Sequence, residues 1–276
     1  MNLKGKNILL TGATGGIGTH LARNLASEGA NLSLVACPGN QLQELSENIQ
    51  AMGVKAVWYD YDLRDRTNME RTVKDTEEHL GPIDVLVNNA GIEITAPYHT
   101  LSIDDIDSIV SCNLRAPLIL SNLLLPGMLE RKCGHIVNIS SLAGKSGPSC
   151  QEVYAATKAG LIGFTASLRA TYRNSPISAS VLCPGFVEAG IYDRLKHQTG
   201  LQAPKLLGTS RPEKVADAVT KAIKKNSAEI IINPIPVRPL FATTALFPRL
   251  GEWLTGLTGA HRFFDRCAEN LHSGEK

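Results

Sequence analysis

Asn7-Ile8-Leu9-Leu10-Thr11-Gly12-Ala13-Thr14-Gly15-Gly16-Ile17-Gly18 joins two patterns of different period. It opens as an apolar run of strand length, and from Ile17 to Glu28 the apolar residues recur with a helical period. Gly12, Gly15 and Gly16 stand between the two patterns, and Gly18 falls in the first turn of the second. A chain that turns sharply from strand into helix, brings its backbone up to a pyrophosphate and packs the helix on the strand has little room for Cβ atoms there. The amides opening the helix then face the anion. The stretch predicts a dinucleotide-binding turn, with Gly12, Thr14, Gly15, Gly16, Ile17 and Gly18 around the phosphates.

Outward from this turn the same alternation repeats. Leu32–Val35, Ala56–Trp58, Val85–Val87, Ile136–Ile139, Ala179–Leu182 and Glu229–Ile232 read as further strands after Asn7–Leu10. Amphipathic stretches at Gln41–Met52, Asn68–Leu80, Ile103–Arg131, Val153–Tyr172 and Pro212–Lys225 read as helices, with Pro212 suited to a start and Gly53 to a stop. Strand and helix in strict alternation predict one α/β domain over residues 1–276, a Rossmann-type doubly wound parallel sheet of about seven strands with helices on both faces. Two segments break the pattern. Residues 185–210 lose their periodicity after the sixth strand and are expected to lie as a substrate lid over the strand carboxyl ends. Residues 234–276 form an apolar helical extension punctuated by Pro234, Pro236, Pro239 and Pro248. A flap over the core or a subunit contact is the leading reading of that extension; peripheral contact with a membrane surface or with a lipophilic substrate is the second.

Composition narrows the partners. Net charge is +2 with both signs mixed along the chain, which excludes the basic tract that a nucleic-acid binder needs. No uninterrupted apolar run reaches the roughly 18 residues of a membrane span. No charged-then-apolar leader precedes the first strand, and the six cysteines show no C-x-x-C spacing, so the expected compartment is the cytoplasm and no metal is expected. Cys150 is singled out, four residues before Tyr154, as a candidate for the pocket wall.

The cofactor reading turns on the end of the second strand. A carboxylate there binds a ribose hydroxyl, and an arginine accommodates a 2′-phosphate. Ala36, Cys37 and Pro38 supply neither, and no cation is seen nearby in the sequence. Both nicotinamide dinucleotides, NADP and NAD, stay open, with a lean to NADP because a missing partner weakens binding whereas an acid would oppose the phosphate. Asp62, with Leu63, follows the third strand and is placed to meet the adenine.

Tyr154 and Lys158 lie four apart in a helical stretch, so both side chains share one face. An ammonium beside a phenol is expected to favour phenolate and lower the ordinary phenol pKa of about 10. Together with the glycine turn, Asn88-Asn89-Ala90-Gly91, Ser140-Ser141 and Pro184-Gly185 complete a series in which the chain, from about Lys4 to Ile232, resembles the short-chain dehydrogenase/reductase family. The spacing Gly12-x-x-x-Gly16-x-Gly18, with Asn88 to Gly91, resembles its shorter, non-extended branch.

The resemblance implies a catalytic tetrad of Asn113, Ser141, Tyr154 and Lys158, with Ser141 preferred to Ser140 by its spacing to the tyrosine. In that reading Ser141 holds the substrate oxygen, Tyr154 is the general acid or base, Lys158 tunes the phenol and binds the nicotinamide ribose, and Asn113 kinks its helix and anchors a proton-relay water. Asn89, Ala90, Gly91, Pro184, Gly185 and Val187 join the cofactor contacts. A threonine common in the family aligns with Ala189, where one hydrogen bond to the cofactor is lost. The implied activity is an NAD(P)(H)-dependent interconversion of a ketone or aldehyde and an alcohol by hydride transfer.

Ser141, Ala143, Ser149, Cys150, Gln151, Phe186 and Ile191 are the expected pocket wall, mostly apolar, suited to a lipophilic or cyclic substrate. Glu93 is expected to face solvent. The helices carrying Asn113 and Tyr154 resemble the family's dyad face, with Ile119, Leu120, Leu123, Leu124, Ala166 and Ala170 to fill it, so a homodimer or homotetramer is expected. Two other readings stand beside this one, a nucleotide-binding redox-sensing regulator without turnover and a nucleotide-sugar epimerase or dehydratase.

Overall fold

Strand periodicity is written directly in the core: Ile8 and Leu10 pack on one side of their strand and Leu9 on the other, all fully buried. The computed structural model describes residues 1–37 and 41–273; Pro38 and residues 274–276 lie outside them. The strands β1 (Asn7–Thr11), β2 (Asn31–Ala36), β3 (Ala56–Asp60), β4 (Val85–Asn88), β5 (Gly134–Ile139), β6 (Ile177–Pro184) and β7 (Glu229–Ile232) form one parallel sheet in the order β3-β2-β1-β4-β5-β6-β7.

On one face α1 (Gly16–Ser27), α2 (Gln41–Gln50) and α9 (Pro212–Lys225) bury Leu21, Leu25, Leu42, Val215 and Val219 against Ile8, Leu10, Leu32 and Leu34. On the other, α3 (Arg66–Leu80) and α5 (Ala116–Glu130) bury Met69, Leu120, Leu124 and Met128 against Leu9, Leu86 and Ile136. The sheet is covered on both sides, as a parallel sheet requires. The chain order reverses between β1 and β4, and a crevice opens at the carboxyl ends of those strands.

The long apolar stretch expected as one helix is three pieces: α4 (Ile103–Val110), a π-helical turn at Ser111–Arg115, and α5. Its length and apolar character would let it cross a membrane, but its inner face is core and its π turn carries Asn113, which is completely buried. A π turn inserts one residue into the helical ladder and re-aims the side chains around it. After β5 come the short α6 (Ala143–Ser146) and then α7 (Glu152–Thr171), a 20-residue helix along the edge of the crevice.

Residues 185–210 leave the sheet and return to the same point. Ser210 N donates to Phe186 O (2.8 Å), Glu188 N donates to Ser210 O (2.9 Å), and Val187 and Ser210 form a parallel bridge. Inside this closed excursion lies α8 (Ile191–Thr199), which sequence periodicity did not reveal. The extension beyond β7 is helical, α10 (Arg238–Leu246), α11 (Pro248–Leu257) and α12 (Ala260–Ser273). Phe263 and Phe264 of α12 pack edge-on and stacked against Phe186, and Phe263 lies against Tyr192 of α8. The last helix therefore holds the excursion down.

Candidate active site

The end of β1 is stitched to the end of β4. Asn89 Nδ2 donates to Thr11 O (3.1 Å) and Gly12 O (3.0 Å), while Thr11 Oγ1 accepts from the amides of Asn89 and Ala90 (both 3.0 Å). Gly12 has a φ of +64° and a Cβ there would stand 2.7 Å from Ala90 Cα, so only glycine turns this corner. At Gly18 a side chain would strike Gly12 O and Ala13 O, so the helix start sits directly on the turn. These are the close approaches that a pyrophosphate cradle needs. Ala189 and Gly190 of the 185–210 excursion rest against Gly16, which brings the excursion to the phosphate end of the crevice.

Opposite this cradle, β5 and α7 deliver the polar residues. Lys158 is 4% exposed, its Nζ donates to Ile139 O (3.0 Å), and it stands 5.4 Å from the centroid of the Tyr154 ring. Tyr154 is hydrogen-bonded to Ser141. Ser141 Oγ accepts from Ala143 N (3.1 Å), which fixes the hydroxyl at the head of the crevice. Ser140 turns the other way and bonds Lys158 O (2.7 Å), so of the two serines Ser141 is the one beside the phenol. Asn113 clamps the loop after β4: its Oδ1 accepts from Ile92 N (2.9 Å) and its Nδ2 donates to Ile92 O (2.8 Å) and to Thr157 Oγ1 (3.3 Å).

The electrostatics differ from the expectation. The Tyr154 phenol is pushed up, not down, chiefly because it is withdrawn from water; the Ser141 hydrogen bond opposes this and the Glu93 carboxylate adds to it. The ammonium lies over the ring face and is aimed at Ile139 O rather than at the phenol oxygen, so it contributes no resolved lowering. Burial instead acts on the lysine, bringing its pKa down to about 8.

Glu93 is a second correction. Its side chain is 1% exposed, not solvated, and it accepts from Thr95 Oγ1, from Gln151 Nε2 (2.5 Å) and from Nη2 of Arg194 (3.0 Å), which also reaches Glu93 O (3.0 Å). A buried carboxylate needs such partners. Arg194 belongs to α8, so this ion pair ties the 185–210 excursion to the loop after β4.

A cavity of about 250 Å³ joins the two halves. Of the expected cofactor contacts, Gly12, Gly15, Gly16, Ile17, Asn89, Ala90, Gly91, Tyr154, Lys158, Pro184, Gly185 and Val187 line it. Of the expected pocket wall, Ser141, Ala143, Gln151, Phe186 and Ile191 line it too. Ser149 and Cys150 do not. Ser149 N and Oγ bond His261 of α12, and Cys150 Sγ points to Asp265 (3.8 Å), where burial and that carboxylate push the thiol up to about 11. Thr14, Gly18, Ala36, Cys37, Asp62 and Leu63 also lie off the cavity wall, as does Asn113 behind it.

Asp62 sits at the carboxyl end of the adjoining strands, with both carboxylate oxygens held by Arg64, Nη2 to Oδ2 at 2.6 Å and Nε to Oδ1 at 3.0 Å. Arg64 also lies within electrostatic reach of Cys37, as a cation paired with Asp62, whose carboxylate acts on the thiol as well. Among the described residues no group of three or more His, Cys, Asp and Glu side chains could hold a metal ion.

Comparison with known proteins agrees with this geometry. The short chain dehydrogenase family pattern matches residues 6–200. The ketoacyl reductase HetN of Nostoc sp. is 43% identical over 235 residues, 85% of this chain and 81% of that protein. A metagenomic short-chain oxidoreductase solved in complex with NADP superposes with a TM-score of 0.70 at 31% identity, over 84% of this chain and 97% of its own. The actinorhodin polyketide ketoreductase, solved with NADPH, gives 0.76 at 29% identity over 82% and 95%. The match over residues 6–200, the glycine cradle and the Ser141–Tyr154–Lys158 wall lead to one conclusion: the chain belongs to the short-chain dehydrogenase family.

Proposed function

We propose that the protein interconverts a ketone or aldehyde and an alcohol, with Tyr154 as the proton donor and acceptor and a nicotinamide dinucleotide as the redox partner. The observation that carries this reading is the convergence of the Tyr154 phenol, the Ser141 hydroxyl and the buried Lys158 ammonium on one cavity, with the glycine cradle as its opposite end. The residues present fit the cofactor. Lys158 has three donors, and the bond to Ile139 O uses one of them, leaving capacity for ribose hydroxyls at the cavity wall. Gly12, Gly15 and Gly16 line the cavity at the end where a diphosphate would lie. When bound, the nicotinamide gives hydride to the carbonyl carbon or takes it back.

The protein's own part is proton chemistry and orientation. Ser141 and Tyr154 adjoin at the head of the crevice, and a substrate oxygen entering there takes the place of their mutual hydrogen bond and accepts from both hydroxyls. A phenol raised by burial is fully protonated at neutral pH, which is the form needed to donate to an alkoxide in the reductive direction. The negative charge then left on the Tyr154 oxygen is stabilised by the Ser141 hydrogen bond, the one close partner that acts to lower the phenol pKa. Asn113 positions the loop after β4 through Ile92, and with it one wall of the pocket.

NADP is favoured over NAD, because two similar solved structures hold the phosphorylated cofactor. Phe186, Ile191, Leu195, Leu240, Phe241 and Phe264 make the substrate end apolar, which supports a lipophilic or cyclic substrate. Of the residues expected on a dyad face, Leu120 and Leu124 are core of the single chain, while Leu123 on α5 and Ala166 and Ala170 on α7 are exposed and support a homo-oligomer through these helices; six free cysteines support a reducing, cytoplasmic setting. The test is a panel of acyclic, cyclic and long-chain ketones offered with NADPH and with NADH, followed by loss of reduced-cofactor absorbance. Turnover of lipophilic ketones with NADPH is expected; tight cofactor binding without turnover of any ketone would overturn the reading.

A further inference from the structure

One of the helices after β7, α11, carries its amphipathic pattern inverted. α11 buries Gly251 and Thr255, with Gly251 set against Thr244 of α10, and presents Leu250 (47% exposed), Trp253 (61%) and Leu257 (60%) outward. Positions 250, 253 and 257 share one helical face, opposite 251 and 255. Leu246 and Phe247 at the α10–α11 junction, 72% and 62% exposed, extend the same apolar surface. A helix packed on a water-exposed domain does the reverse, turning its large apolar residues to the core. Together the five side chains offer about 600 Å² of apolar surface, at the upper end for a monomer and in the range that marks functional patches.

We propose that this face seats the protein on a lipid bilayer, with α10 and α11 lying in the plane of the headgroups. Two observations favour a bilayer. The same helices wall the cavity from their inward side through Leu240, Phe241 and Thr255, which puts an apolar pocket one helix layer behind the face. Its chemistry is interfacial as well: Trp253 and Phe247 are the side chains that settle at headgroup level, and Arg249, exposed at the border of the face, is complementary to lipid phosphates. The proposal deepens the lipophilic-substrate reading but does not need it, because its test contains no substrate.

The full-length protein is mixed with extruded vesicles of phosphatidylcholine, alone or with phosphatidylglycerol, and floated through a sucrose gradient. The wild type is expected to rise with the vesicles. A Trp58→Phe form, in which Trp253 is the remaining tryptophan, is expected to shift its emission to the blue on mixing. The double variant Phe247→Ser with Trp253→Ser is expected to partition about 10-fold or more weakly, with an unchanged thermal midpoint because both residues are exposed. Wild type that fails to float with either vesicle, or a double variant that floats as well as wild type, overturns the proposal. So does a double variant of lower mass than wild type by light scattering, which would assign the face to a second copy.

Discussion

Replacing Lys158 with methionine should stabilise the fold while abolishing turnover. The ammonium is 4% exposed and burial brings its pKa from 10.5 to about 8. At 1.36 kcal/mol per unit, holding it charged in the fold at pH 7 costs about 3 kcal/mol relative to the unfolded chain. Methionine removes that cost and fills the same space, but leaves Ile139 O without its 3.0 Å donor, a loss of about 1 kcal/mol. The net gain is about 2 kcal/mol, or a rise in thermal midpoint of roughly 4–8 °C. The folded-state pKa lies below the unfolded one, so the wild-type penalty is complete below pH 8, fades as pH rises toward 10.5 and is absent above it. Urea midpoints of both proteins at pH 7 and pH 10 check this, with the variant's advantage narrowing at the higher pH. A variant less stable than wild type at pH 7, or a gap that does not change with pH, would refute the reasoning.

Arg194→Ala should leave the Glu93 carboxylate buried with Thr95 and Gln151 as its donors; because Arg194 itself is half exposed, the expected loss is about 1–3 kcal/mol in urea unfolding. Adding Glu93→Gln should recover part of it, a coupling that a double-mutant cycle reads directly, and KM should rise more than kcat falls because the pair ties α8 over the pocket. Gly12→Val should cost about 2–4 kcal/mol and abolish dinucleotide binding by fluorescence titration, since its Cβ would meet Ala90 Cα at 2.7 Å on a backbone of positive φ.

The parts of the site that were legible in the sequence are those whose chemistry is local. The glycine turn, the alternation of β1 and the i, i+4 placement of Tyr154 and Lys158 follow from neighbouring residues, and the 185–210 excursion was marked by a loss of periodicity. What stayed hidden depends on residues far apart in the chain. Glu93 reads as a solvated acid until α8 brings Arg194 from 101 positions away. Cys37 reads as lacking a cation until β3 places Arg64 near it, paired with Asp62. Ser149 and Cys150 lie next to the tyrosine in sequence, yet α12 draws them off the pocket through His261 and Asp265. The sign of the phenol shift was missed for a related reason: spacing puts an ammonium beside a ring but does not say whether it faces the oxygen or the π face, and here the carbonyl of Ile139 draws it to the latter. The π turn at Asn113 shows one local trace, a polar residue in an apolar helix, with its partner Ile92 on another element.

Tyr154→Phe removes one hydroxyl from a ring that otherwise keeps its place in the cavity. Reduced-dinucleotide binding should stay within a few-fold of wild type while ketone-dependent oxidation falls by about 10²–10⁴, the range that a positioned general acid supplies. Turnover by the phenylalanine variant close to the wild-type rate would contradict the assignment of Tyr154 as the group that moves the proton.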